Sequence, residues 1–501
     1  MVFHSLFLLQ LLLLFSLTTA TAKRLHTIPP RLSPIEPRVW LDHPDQNLGE
    51  SVREDFETFF YNQTLDHFNY RHESYDTFPQ KYLINSKYWG GSDTDCSAPI
   101  FVYLGAEAPI NGSLDTIGFL VDTAVHFKSL LAYVEHRYYG ESIPFGDEAF
   151  KNASTLGYFN SAQAIADYAE IIIDIKKTFQ AENAPVIVIG GSYGGMLASW
   201  LRLKYPHIAL GALASSAPVL YFDDITPQDG FYSIVSKGFR EASETCYQTI
   251  RESWDVIDEV ASKPDGLSEL SERFNTCATL ASAAVLKTHL IEMYISAAQY
   301  NAPPTYPVNK VCGGIDGGGF GDDVLAKIFG GLVAYKGNGP CYVNAPAYQS
   351  ALPGGWSWQR CSEMVMPFGF GKDSMFQPKP FDIEAYIERC KQTYGVPPRV
   401  DWVTSYYGGH NISLVLQRFG SNIIYSNGLR DPYSIGGVLR SISDTIVAVN
   451  AVNGSHCLDL RFANQYDPHW LVDQRNSEIN IIQEWIDEYY HDARCSTKSH
   501  I

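Results

Sequence analysis

The sequence predicts an α/β fold, a mostly parallel sheet with helices packed against it, interrupted by one inserted helical segment. Two observations carry that prediction. Up to residue 221, short β-branched or aromatic runs alternate with helical patterns, as repeated strand-helix-strand units require. That rhythm stops over residues 222–401, where helical patterns give way to Gly- and Pro-rich loops, and it resumes over 402–501.

Taken in order, the apolar run Leu6 to Leu17 and the small residues Thr18-Thr19-Ala20-Thr21-Ala22 read as a signal peptide over 1–22. The run is short for a membrane span, and no later segment approaches the roughly 18 apolar residues a span needs. The mature chain is therefore expected in the secretory pathway, in a lysosome, a vacuole or outside the cell, with no membrane attachment. Residues 23–50, rich in Pro and charge, read as an N-terminal arm. The first part of the α/β domain, 51–221, opens with the buried strand runs Ile100 to Leu104 and Leu130 to Val134, and a helix is expected between them over 115–128. Asn160 or Ser161 can cap a helix that carries Ile165, Tyr168, Ala169, Ile172 and Ile173 on one face. The strand Val186 to Ile189 follows, then a helix over 196–205 ended by Pro206, then a strand near 210–213. In the insertion, helical patterns cover 230–258 and 267–300, and Gly313-Gly314-Ile315-Asp316-Gly317-Gly318-Gly319 reads as a flexible loop. The second part of the α/β domain, 402–501, has strands at Ile423 to Tyr425 and Thr445 to Val449 and a closing helix over 478–490.

Composition narrows the partners. A formal net charge of -18 over 501 residues argues against nucleic acid, whose phosphates need clustered Lys and Arg. Nine cysteines in a secreted chain leave at least one unpaired, and sequons at Asn62, Asn111, Asn152, Asn411 and Asn453 are candidate glycosylation sites. The sequence has no H-E-x-x-H helix, no paired C-x-x-C and no G-x-x-x-x-G-K loop, so no metal and no cofactor are expected.

The chemistry centres on Gly190-Gly191-Ser192-Tyr193-Gly194. A β-branched run precedes it and a helix-forming run follows, the context in which G-x-S-x-G becomes a nucleophile elbow and the fold an α/β-hydrolase with an inserted, mainly helical, disulfide-containing cap. A serine hydroxyl needs a base within hydrogen-bond reach and a carboxylate to orient that base. In this fold they follow in the order acid, then His. Asp431 lies just after the strand at 423–428, and its plain alternative is an Asp-Pro turn residue. His456 lies on the loop after the last strand. The Tyr193 N–H is expected to serve the oxyanion hole, with a second donor from Gly105-Ala106-Glu107.

These residues resemble the serine peptidase family of lysosomal Pro-X carboxypeptidase and dipeptidyl peptidase II. The likeness rests on Glu135-His136-Arg137-Tyr138-Tyr139-Gly140-Glu141-Ser142, Gly190 to Leu197, Leu203 to His207, Ser426-Asn427-Gly428 with Asp431-Pro432, and His456 with Leu458-Asp459-Leu460-Arg461. Cys361 to Phe368, Tyr407-Gly408-Gly409 and Asn411-Ile412-Ser413 look more like the Pro-X branch. The resemblance implies cleavage of proline-containing peptides at Pro-X bonds near the C-terminus, a proline pocket of Met196, Met366 and Tyr433, and disulfides Cys246–Cys312, Cys277–Cys341 and Cys361–Cys390. It leaves Cys96, Cys457 and Cys495 undecided, and a homodimer open. This chain departs from the family pattern at Arg430, Tyr433 and Cys457, where an apolar residue, a Trp and a second His are usual. Two other readings compete: removal of N-terminal dipeptides by the same triad, and an inactive hydrolase-fold binding protein.

Overall fold

The computed structural model describes residues 32–33, 52–92, 96–343 and 355–493. The signal peptide, most of the N-terminal arm and Cys495 lie outside them. Eight strands form one sheet: β1 (Glu57–Thr64), β2 (Thr77–Asn85), β3 (Ile100–Leu104), β4 (Leu130–Val134), β5 (Val186–Gly191), β6 (Gly211–Ser215), β7 (Ile423–Gly428) and β8 (Ile446–Ala451). Their spatial order is β1-β2-β4-β3-β5-β6-β7-β8. β1, β2 and β4 pair antiparallel, and every pairing from β4 through β3 to β8 is parallel. This is an α/β-hydrolase sheet. The β1–β2 hairpin escapes sequence inspection because β1 faces solvent at alternate and partly buried positions, so no apolar run marks it.

Parallel pairing buries both faces of the central strands, and β3, β4, β5 and β6 are buried throughout. On one face Phe101, Tyr103, Leu131, Tyr133, Ile187, Ile189, Leu213 and Ile424 pack with Leu120 and Phe127 of α1 (Phe119–Phe127) and with Ile482, Trp485 and Ile486 of the last helix, His469–Asp492. Each such side chain contributes about 1.5–3 kcal/mol on burial. The expected helix over 115–128 is thus shorter, with a 3₁₀ turn at Ile110–Asp115 before it. The closing helix is longer than the 478–490 expected, starting after Pro468. α2 (Ser161–Thr178) is capped by Asn160, whose side chain accepts the Gln163 N–H. α3 (Tyr193–Lys204) begins directly after Ser192.

The chain divides into two compact units. One comprises the described residues 242–296 and 309–343; the other holds the sheet and includes 222–241, 297–308 and 355–401. The first unit is helical, holding Glu244–Ala261, Gly266–Arg273, Val324–Lys336 and the larger parts of Ala283–Gln299 and Pro307–Asp316. The single helical pattern over 230–258 is broken at Ser243, whose hydroxyl caps the second helix by accepting the Cys246 N–H. Gly313 to Asp316 belong to a helix, which corrects the reading of 313–319 as one flexible loop. The reason is close packing: a Cβ on Gly314 would lie 2.4 Å from the Gly330 carbonyl oxygen of the facing helix. Disulfides join Cys246 to Cys312, Cys277 to Cys341 and Cys361 to Cys390, and Cys96 is also disulfide-bonded. Cys457 is a buried free thiol.

Candidate active site

Ser192 sits between the end of β5 and the start of α3 with φ 60° and ψ −124°, a conformation costly for any residue with a Cβ. Its neighbours must be small for this turn to close. A Cβ on Gly190 would fall 2.1 Å from the Gly194 carbonyl oxygen, and one on Gly195 would fall 2.7 Å from that of Ser215. The Ser192 N–H donates to the Ser215 carbonyl at 2.8 Å, tying the turn to β6.

His456 Nε2 lies 2.8 Å from Ser192 Oγ, and His456 Nδ1 lies 2.6 Å from Asp431 Oδ2. All three residues are fully buried. Asp431 also caps the 3₁₀ turn Pro432–Gly436, its Oδ1 accepting the Tyr433 N–H at 3.0 Å. The turn role and the His contact are therefore both met by one carboxylate. Burial alone would depress the His456 pKa, but the Asp431 carboxylate outweighs it and holds the imidazole above its ordinary value. The His456 loop is anchored by its own N–H to the Gln299 carbonyl at 3.0 Å and by the Cys457 N–H to Ser216 Oγ at 2.9 Å.

Tyr193 supplies the first amide of α3, where helix N–H groups lack intrahelical acceptors. Of the three residues considered for a second donor, Gly105 is excluded because its N–H is spent on the Val134 carbonyl at 2.9 Å. Ala106 packs beside Gly194. The Tyr193 side chain is held by two groups that sequence inspection did not single out as functional. Gln359 Nε2 donates to Tyr193 Oη at 2.7 Å, and its Oε1 accepts from the Tyr139 hydroxyl at 2.7 Å. His136 Nδ1 meets the Arg137 carbonyl at 2.6 Å and must donate there, so its Nε2, 3.1 Å away, accepts from the Tyr193 hydroxyl. Burial pushes His136 down to about 4, which keeps it in that neutral form.

Met196, Met366 and Tyr433 are fully buried. The Tyr433 ring lies 5.5 Å from the His456 ring, and Met196 N donates to the Ser192 carbonyl in the first turn of α3. Met366 lies on the segment leading to Phe368, whose ring is 6.2 Å from Tyr433. Arg360, buried, stacks on the Phe368 ring at 5.7 Å, and its Nε has no hydrogen-bond partner. Arg430 reaches Glu241 at 3.6 Å on the half-exposed side and so points away from Asp431. All five sequon asparagines are exposed. Among the described residues one exposed trio, Asp223, Asp224 and His410, groups metal-ligating atoms, and His410 there already pairs with Asp223 at 2.9 Å.

The profile of the family described as Serine carboxypeptidase S28 matches residues 63–478. The chain belongs to that family. Serine carboxypeptidase S28 members similar to it include the lysosomal Pro-X carboxypeptidases of Mus musculus, 40% identical and covering 93% of this chain and 96% of the relative, and of Homo sapiens, 39% identical and covering 88% and 91%. The prolyl carboxy peptidase like protein 5 of Caenorhabditis elegans is 32% identical over 82% of this chain and 86% of its own. The protein is thus a serine-type carboxypeptidase, a hydrolase of peptide bonds. Among the described residues no helix is long and apolar enough to cross a membrane.

Proposed function

We propose that the protein is an exopeptidase that cleaves Pro-X bonds near peptide C-termini through Ser192, His456 and Asp431 and an acyl-enzyme. The observation that carries this reading is the continuous hydrogen-bonded chain from Ser192 Oγ through His456 to Asp431. Ser192 Oγ attacks the carbonyl carbon of the Pro-X bond while its proton passes to His456 Nε2. The carbonyl electron pair moves onto oxygen, which the Tyr193 N–H and a second N–H from Ala106-Glu107 receive. Collapse of this intermediate breaks the C–N bond, and the His456 proton goes to the leaving amine. Water then repeats the sequence on the ester, restoring Ser192. Asp431 keeps the Nδ1–H tautomer and stabilises the imidazolium.

Met196, Met366 and Tyr433 form the apolar, aromatic surface for the proline ring. Arg360, a buried cation in the same aromatic cluster as Tyr433, receives the terminal carboxylate, which a planar guanidinium binds in bidentate fashion. The lysosomal relatives and the expected signal peptide support a lysosome- or vacuole-type compartment of the secretory pathway. Hydrolysis of an acyl-Ala-Pro-Phe is compared with that of a free-amine Lys-Ala-anilide. Turnover of the first supports the reading, and exclusive turnover of the second overturns it in favour of dipeptide removal. Labelling of Ser192 by a phosphonofluoridate separates both from an inactive binding protein.

A further inference from the structure

Two carboxyl groups outside the triad lie fully buried where the His456 loop meets the sheet. Asp459, three residues after His456, accepts from the Ser215 hydroxyl through Oδ1 at 2.6 Å. Glu478, on the closing helix His469–Asp492, accepts from the Ser426 hydroxyl through Oε1 at 2.6 Å. The remaining oxygens, Asp459 Oδ2 and Glu478 Oε2, are both buried and have no hydrogen-bond partner.

The donors nearest to them point elsewhere. A serine hydroxyl has one proton, and that of Ser426 goes to Glu478, while Gln474 Nε2 donates to Ser426 Oγ at 2.8 Å. Ser215 gives its proton to Asp459. Arg475, the cation that acts on both carboxyls, directs four of its five N–H groups to the Asp459, Leu458 and Arg461 carbonyls and to Asp467. Cys457, on the same loop, turns its thiol toward the Ser215 carbonyl at 3.9 Å. No donor reaches either orphan oxygen, so a proton on the pair itself is what satisfies them, and two buried carboxylates without one would repel.

We infer that Asp459 and Glu478 share a single proton, carried by Glu478 and accepted by Asp459, and that this shared proton fastens the His456 loop to the C-terminal ends of β6 and β7. Both residues are positioning residues. Asp459 joins the loop to Ser215, whose carbonyl holds the Ser192 amide, so the same contact registers His456 against the elbow. Burial, then Asp459, raise the Glu478 carboxyl well above its ordinary range, and burial raises Asp459 as well. The sign follows: a carboxyl that holds its proton more tightly when folded contributes stability that is full below its unfolded value of 4.5 and is lost as pH rises.

The deepened role of His456 rests on the proposed function, but the proton does not, and the test separates them. Thermal melts of glycosylated Ser192→Ala protein, which needs no activity, are compared with those of Ser192→Ala/Glu478→Gln from pH 4 to 8. Glutamine keeps the shape and donates to Asp459 without titrating. The expected result is that Tm of the reference falls relative to the variant by about 1–2 °C per pH unit above 4.5. Asp459→Asn, which donates in the other direction, should remove the same slope and guards against a variant that does not fold. In the active enzyme, residual turnover after incubation at pH 8 should be lost by the wild type and kept by Glu478→Gln. A Tm offset that is constant across the pH range in both variants overturns the shared proton. A lost slope with unchanged loss of turnover overturns the link to His456 alone.

Discussion

Replacing Asp431 by Asn tests the group that orients the base. Asp431 Oδ1 accepts the Tyr433 N–H and Oδ2 meets His456 Nδ1 at 2.6 Å. An asparagine must keep its carbonyl oxygen on the Tyr433 amide, which leaves its NH₂ facing Nδ1. That contact forces Nδ1 to accept, so the imidazole proton moves to Nε2, where Ser192 needs an acceptor. The reversal of tautomer in a buried triad costs about 10⁴ in kcat, or about 5 kcal/mol, with KM nearly unchanged. A second effect is independent of the first. With the carboxylate gone, burial dominates His456, so the acid limb of the kcat/KM profile should move to lower pH. Phe release from acyl-Ala-Pro-Phe between pH 4 and 8 reads both. A loss of less than tenfold, or an acid limb that stays in place, would refute the assignment of Asp431.

Gly190→Ala would place a methyl 2.1 Å from the Gly194 carbonyl oxygen, backbone that cannot yield, so turnover and phosphonofluoridate labelling should both fall at least about 100-fold. Glu363 accepts the Ser161 N–H and hydroxyl at the start of α2 at 2.7 and 2.8 Å, and burial pushes its carboxyl up to about 7. Its folded value exceeds the unfolded 4.5, so it contributes about 3 kcal/mol below pH 4.5 that is lost as pH rises through 7; Glu363→Gln should flatten that part of the Tm profile, and an unchanged slope would count against it. Arg360→Gln should cut the preference for acyl-Ala-Pro-Phe over its C-terminal amide by about tenfold or more, mainly through KM, whereas equal losses on both substrates would make Arg360 structural.

The central strands and the elbow were legible because their signals are local. A β-branched run, two close-packed glycines and a helix-forming stretch are adjacent in sequence, and each follows from a short-range steric rule. Asp431 and His456 were legible because the order of the parallel strands restricts where an acid and a base can stand. His136 and Gln359 appear near matching motifs, yet nothing local says that they meet on one hydroxyl 57 and 166 residues away. The Gly313 to Gly319 run misled for a related reason. Glycine marks both a flexible loop and a close helix crossing, and only the partner, Gly330, decides between them. Nothing local marks Asp459 beyond the family likeness, since its partner Glu478 arrives 19 positions later on another element.

The parallel sheet explains why residues 264 positions apart come within hydrogen-bond reach. β5, β6, β7 and β8 are consecutive neighbours running the same way, so their C-terminal ends share one edge. Ser192 follows β5, Asp431 follows β7 and His456 follows β8. β6 gives no member of the triad, yet its last residue touches both ends of it. The Ser215 carbonyl takes the Ser192 amide, and the Ser215 hydroxyl takes Asp459 of the His456 loop. The strand between nucleophile and acid therefore sets the spacing that the chemistry needs. Ser215→Ala should therefore loosen the His456 loop through the lost Asp459 contact while the Ser192 amide stays on the backbone carbonyl, so turnover should fall with the elbow still closed.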